Sequence, residues 1–144
     1  MLILTFHPII QLTGFILAIY AMYLGFSRTL SLHFGKETVF DKDRHVIVGA
    51  LSLIVLTFGM AGGAIMVARY LEKPILESLH GKGAVVLLPF LLFGLFSGFY
   101  MYLNPAGRKI LPALHAINNL ILLMFAAFQL ITGMAFYLKI VLSI

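Results

Sequence analysis

The chain has 144 residues, 62% hydrophobic and only 10% charged, with a mean hydropathy of +1.07 and a formal net charge of +5. A soluble fold of this size exposes too much surface to hide so large an apolar fraction, so the composition points to an integral membrane protein. The lack of cysteine excludes disulfides, thiolate-held iron–sulfur clusters and c-type haem attachment, and the modest positive charge, with no basic stripe or stacking platform, suits anionic lipid headgroups and not nucleic acid.

The opening stretch MLILTFHPII has neither the positive start nor the small-residue cleavage site of a signal peptide, and reads as part of a first membrane span over residues 3–26. A polar linker, SRTLSLHFGKETVFDKDR, follows, with room for a short interfacial helix and with His33 as a plain loop residue. A second span is expected over 45–68, then RYLEKPILES, in which Pro74 is placed to start a helical turn. The third span, 79–103, contains Pro89 and should kink there; NPAGRK turns the chain into a fourth span over 111–138. Each span is long enough for a hydrocarbon core of roughly 30 Å. Four strands could not close a barrel in lipid, so the spans are helices. Short connections make neighbours antiparallel. The expected fold is an all-α membrane protein, one domain over 1–144, a four-helix bundle running up-down-up-down.

Charge gives a weak orientation. Arg28, Lys36, Lys42, Arg44, Arg108 and Lys109 lie on the side of the first and third linkers, and Arg69, Lys73, Lys82 and Lys139 on the other. The first side leans toward the cytoplasm by the positive-inside rule. Tyr20, Tyr23, Tyr70, Tyr100, Tyr102 and Tyr137 fall toward span ends, as an aromatic belt would.

Four of the five histidines, His7, His45, His80 and His115, stand near the start of the four spans, and eighteen residues after each comes a glycine: Gly25, Gly63, Gly98 and Gly133. Eighteen residues is about five turns at 3.6 per turn, so each histidine shares a face with its glycine, about 27 Å along the axis. A polar side chain in a membrane helix should face the bundle interior. With alternating helix directions, His7 and His80 lie at one surface on diagonal helices, and His45 and His115 at the other. Each pair can direct two imidazoles at one point, while the remaining two helices present glycine at that depth. This pattern fits two bis-histidine haem b groups, with glycine giving the ring edge a close backbone approach. Gln11 and Asn119, four residues after His7 and His115, are candidates to hydrogen-bond a cofactor or a water. Arg44, Lys82, Arg108, Lys109 and Arg28 cluster at the histidine-bearing ends, where haem propionates would emerge; snorkelling toward headgroups explains the same charges. Likewise the stretch GMAGGA around Gly63 would serve as a small-residue helix contact.

Other chemistry finds little support. There is no H-E-x-x-H and no phosphate loop, and all five acids, Glu37, Asp41, Asp43, Glu72 and Glu77, lie in linkers, where a proton-driven transporter would want one within the membrane.

One histidine per helix, paired first with third and second with fourth, resembles the cytochrome b561 family over essentially the whole chain. The resemblance implies a dihaem electron-transfer protein with His7/His80 and His45/His115 as axial ligands. Eukaryotic members are similar but add a helix at each end and use ascorbate; a four-span core implies instead a prokaryotic subunit in the cytoplasmic (inner) membrane. The expectation is therefore a cytochrome that carries single electrons across the bilayer, from a quinol or other small donor to a partner redox protein. Exposed apolar helices suggest a homodimer or a subunit of a larger membrane complex. Two other readings remain open: a protein ligating (bacterio)chlorophyll with the same histidines, which needs no diagonal pairing, and a cofactor-free membrane anchor or assembly subunit.

Overall fold

A computed structural model describes residues 2–72 and 74–141, with side-chain surroundings for 5–72 and 74–139. Lys73, counted above among the linker charges, lies outside the described residues.

The chain folds into helices α1 (Leu2–Phe34), α2 (Lys42–Met66), α3 (Leu79–Leu103) and α4 (Ile110–Val141). A π-helical turn, Val67–Leu71, prolongs α2, and a 3-10 turn, Ile75–Glu77, precedes α3. Four segments, Thr5–Phe34, Lys42–Leu71, Leu79–Leu103 and Ile110–Lys139, are long and apolar enough to cross a membrane. No strand occurs among the described residues.

Local chemistry sets the ends. Asp41 caps α2 by accepting from the Arg44 amide at 3.0 Å, and Ser78 caps α3 by accepting from Gly81 at 2.9 Å. Pro74, extended at φ −63°, ψ 134°, is the cap of the 3-10 turn. The first helix runs on past residue 26 to Phe34, so the expected interfacial helix is its continuation, and His33 sits in its last turn rather than in a loop. Gly35, at φ +64°, ends it in the left-handed region that glycine tolerates best. Pro89 lies inside α3, which remains one helix across it.

Each helix packs on its neighbours in sequence, and α1 closes on α4, so α1 faces α3 and α2 faces α4 across the diagonals. The centre is small and made by four short stripes. Seven and eleven residues after each histidine come Gly14 and Ala18, Ser52 and Leu56, Leu87 and Leu91, Leu122 and Ala126. Of these all but Ala18 are buried, and Ala18 packs against the same cluster. Leu91 and Leu122 are 1% exposed. Around this plug the outer faces are apolar: Phe58, Phe96, Ile117 and Met124 point outward, as lipid-facing side chains do. Among the described residues the buried polar side chains are Ser52, Ser97 and Gln129, and each donates a hydrogen bond to a helix backbone carbonyl.

The hydrogen bonds divide the bundle in two. Gln11 donates to the Leu56 carbonyl (3.2 Å) within the α1–α2 hairpin. Asn118 donates to Phe90 (3.0 Å) and Gln129 to His80 (2.9 Å) within the α3–α4 hairpin. The side-chain hydrogen bonds by which His7, Gln11, His45, His80, Ser97, Asn118 and Gln129 join two helices all lie inside one of these hairpins. The hairpins meet through the leucine plug, the two pairs of histidines, and Lys42 of α2 over the Tyr102 ring of α3.

Candidate functional site: two histidine pairs

The fold brings His7 of α1 to His80 of α3, with ring centres 6.0 Å apart, and His45 of α2 to His115 of α4, at 6.4 Å. The ring planes in the two pairs cross at 74° and 77°. All four histidines are half-buried. Helix direction separates the pairs in depth, with the leucine plug between them.

Every imidazole is held by its Nδ1. Those of His7 and His45 bond to the backbone carbonyls of Gly59 (2.8 Å) and Ala21 (2.9 Å). Those of His80 and His115 bond to the hydroxyls of Thr132 (3.4 Å) and Ser97 (2.8 Å). A carbonyl can only accept, so His7 and His45 donate from Nδ1 and carry their lone pair on Nε2. No Nε2 of the four has a hydrogen-bond partner among the described residues. The anchor follows a rule. For His7, His45 and His80 the carbonyl four residues before the partner glycine accepts, that of Gly59, Ala21 and Gln129 in turn; for His80 and His115 the hydroxyl immediately before that glycine, Thr132 or Ser97, also meets the ring.

The four glycines lie where the repeat places them, and each has an imidazole as its near neighbour. A Cβ at Gly63 would stand 2.5 Å from His7 Cε1, one at Gly25 2.7 Å from His45 Cε1, and one at Gly133 2.8 Å from His80 Cε1. At Gly98 the corresponding distance to His115 is 3.2 Å. Each glycine lies against the imidazole of the adjacent helix in its own hairpin. The physical reason is the anchor, which draws each ring onto the neighbouring backbone instead of leaving it upright in the bundle.

Other predicted residues take other partners. Gln11 and Asn119 spend their amides on the carbonyls of Leu56 and His115. Arg44 sits exposed beside His45 and pairs with Asp41 at 3.4 Å. Lys82 is exposed in the first turn of α3, two residues from His80. Arg108 lies over Tyr100 and Lys42 over Tyr102, each 4.8 Å from the ring centre. Ser97 and Thr132 were not singled out from sequence. The signal that marks them is a hydroxyl residue directly before the paired glycine, present in α3 and α4 and absent from α1 and α2.

The donor set can be tested against a haem. No group of three or more His, Asp or Glu side chains converges among the described residues. A tetrahedral metal, which takes three or four protein ligands, therefore finds too few; a haem iron, already bound by its macrocycle, asks the protein for its axial ligands only. Metal–nitrogen bonds of about 2 Å on either side of one atom put two imidazole centres roughly 6 Å apart. The two observed separations agree. His7 also borders an apolar cleft of about 210 Å³ on the outer face between α1 and α2, lined by Phe6, Ile10, Phe58, Gly62 and Ile65, smaller than an ordinary ligand pocket. The residues present fit the group.

The family model described as "Eukaryotic cytochrome b561" matches residues 6–140, a stretch holding all four histidines and their glycines. No significant match was found among curated proteins or among solved structures.

Proposed function

The chain belongs to the cytochrome b561 family of membrane b-type cytochromes, and on that premise we propose that it carries single electrons across the bilayer through two haem b sites, one held by His7 and His80 and the other by His45 and His115. When bound, haem b supplies a reversible ferric–ferrous one-electron couple. The chain does the rest. The Nδ1 anchors fix the imidazoles with Nε2 free to ligate, as outer hydrogen bonds do in metal sites generally. The leucine plug around Leu91 and Leu122 keeps water from the interval between the pairs. Lys82 is placed to meet a haem carboxylate near His80; Arg44 would do so near His45 by sharing itself with Asp41.

The observation that carries this reading is the double pairing at 6.0 and 6.4 Å. It favours two-ligand centres over single-histidine ligation of a chlorophyll magnesium, and over a colourless anchor, neither of which needs diagonal imidazoles. At the surfaces we propose a quinol or other small donor on one side and a redox partner protein on the other. Lipid contacts the outer faces, and a homodimer or a larger membrane complex would cover part of them. A prokaryotic cytoplasmic membrane is the setting we propose, although the family description carries a eukaryotic label.

The test is a haem-to-protein ratio with a reduced-minus-oxidised spectrum of the purified protein. Two haems b per chain are expected, His7→Ala and His80→Ala each removing the same one. A colourless protein, or loss of both haems from either single substitution in a folded chain, would sink the proposal.

A further inference from the structure

The two pairs are not anchored alike. In each pair one imidazole is tied to a backbone carbonyl, which no substitution removes; of the other two, His115 is held by the Ser97 hydroxyl, and His80 is shared between the Thr132 hydroxyl and the Gln129 carbonyl. The hydroxyls differ. Ser97 is 7% exposed, donates to the Phe93 carbonyl at 2.5 Å, and is 2.8 Å from His115 Nδ1. With its proton committed to its own helix, its remaining lone pair faces the imidazole and can only accept. Thr132 is less buried, spreads its proton over Phe128 and Gln129 at 3.2–3.3 Å, and lies 3.4 Å from His80 Nδ1. That is a looser hold of the same kind.

We propose that Ser97 and Thr132 are positioning residues that tune the two centres unequally, Ser97 holding His115 the more firmly and so lowering the redox potential of its centre. The inference rests on the haem reading above. A donor bond from Nδ1–H pushes electron density toward Nε2 and makes the imidazole a stronger ligand. A stronger ligand favours the ferric state, and hydrogen bonding of axial ligands is among the levers by which a protein sets a haem potential. A short bond to a buried acceptor does this more than a long bond to a half-exposed one. The two residues occupy equivalent positions, each directly before its glycine; they differ in the hydroxyl's commitments and in the Gln129 carbonyl, which shares His80 while Ser97 alone meets His115.

The experiment is a spectroscopic redox titration of the haem-loaded, full-length protein, wild type against Ser97→Ala, Ser97→Thr and Thr132→Val. Loss of the Ser97 hydroxyl should raise the potential of the wave that His115→Ala abolishes and leave the other in place; Ser97→Thr should restore it. Thr132→Val should raise only the other wave, by less. A wild type with two haems whose waves do not move in Ser97→Ala overturns this inference and leaves the electron-transfer reading standing, whereas a wild type without haem removes that reading itself. Should Ser97→Ala not fold, Thr132→Val still decides: a shift of the His45/His115 wave, or of neither, overturns the assignment.

Discussion

A methyl group at Gly63 would enter the ring of His7, with Cε1, Nδ1 and Nε2 all within 3.0 Å of it, whereas at Gly98 it would touch His115 at 3.2 Å and be absorbed by a small shift. Overpacking a tight contact costs about 1–3 kcal/mol and displaces side chains. Gly63→Ala should therefore empty the His7/His80 site and lower the haem-to-protein ratio by half, while Gly98→Ala keeps both haems with at most a shifted band. Equal loss from both would show that the glycines do not act through the rings. The histidines and glycines were legible because a single spacing recurs on all four spans. The anchors were not, since a carbonyl such as that of Ala21 or Gly59 has no sequence signature at all. Ser97 and Thr132 were legible in principle, but a hydroxyl in a membrane helix more often bonds its own i−4 carbonyl, and both do that as well. Arg44 was read for its charge; its partner Asp41 is also the cap of the same helix, and the cap geometry brings the two together.

Among the elements, the entry to α3 is the tightest. The Ile75 carbonyl folds back onto Gly81 so closely that any Cβ there would collide with backbone, and Gly81 is also the amide that Ser78 caps. Gly81→Ala should push the start of α3 away from the 3-10 turn and carry His80 with it. The expected result is selective loss of the His7/His80 haem with a helical circular dichroism spectrum preserved; a variant that binds two haems as wild type does would refute it. Glycine beside a histidine was visible in sequence, but the return of a loop over it was not, because Pro74 and Ser78 specify that a helix begins and not where the preceding turn lies. Span edges show the same limit. For 79–103 hydropathy and helix coincide, since Ser78 caps one end and Asn104 closes the other onto the Tyr100 carbonyl. Hydropathy fades after residue 26, yet nothing breaks α1 until Gly35. Apolar length reports the thickness of the bilayer; only a breaker reports the end of a helix.

At the scale of the molecule, the plug between the two pairs bears the packing. Helices in lipid gain little from the hydrophobic effect and are held by close contact. Leu91→Ala would leave a void at the most buried point, and comparable truncations cost roughly 2–5 kcal/mol. Unfolding in mixed micelles should begin at lower denaturant while both haems remain, because no ligand or anchor is touched; an unchanged transition would show that the plug is not where stability resides. This layer too was readable in principle, seven and eleven residues past each histidine, on the stripe that the eighteen-residue interval defines. Which helices exchange hydrogen bonds was not readable, and it matters most for assembly. Each hairpin is stitched within itself and contributes one imidazole to each depth, so neither hairpin can complete a centre. A chain opened in the exposed turn around Pro74, supplied as two separate halves, should stay colourless until the halves meet, and pigment would then report their reunion.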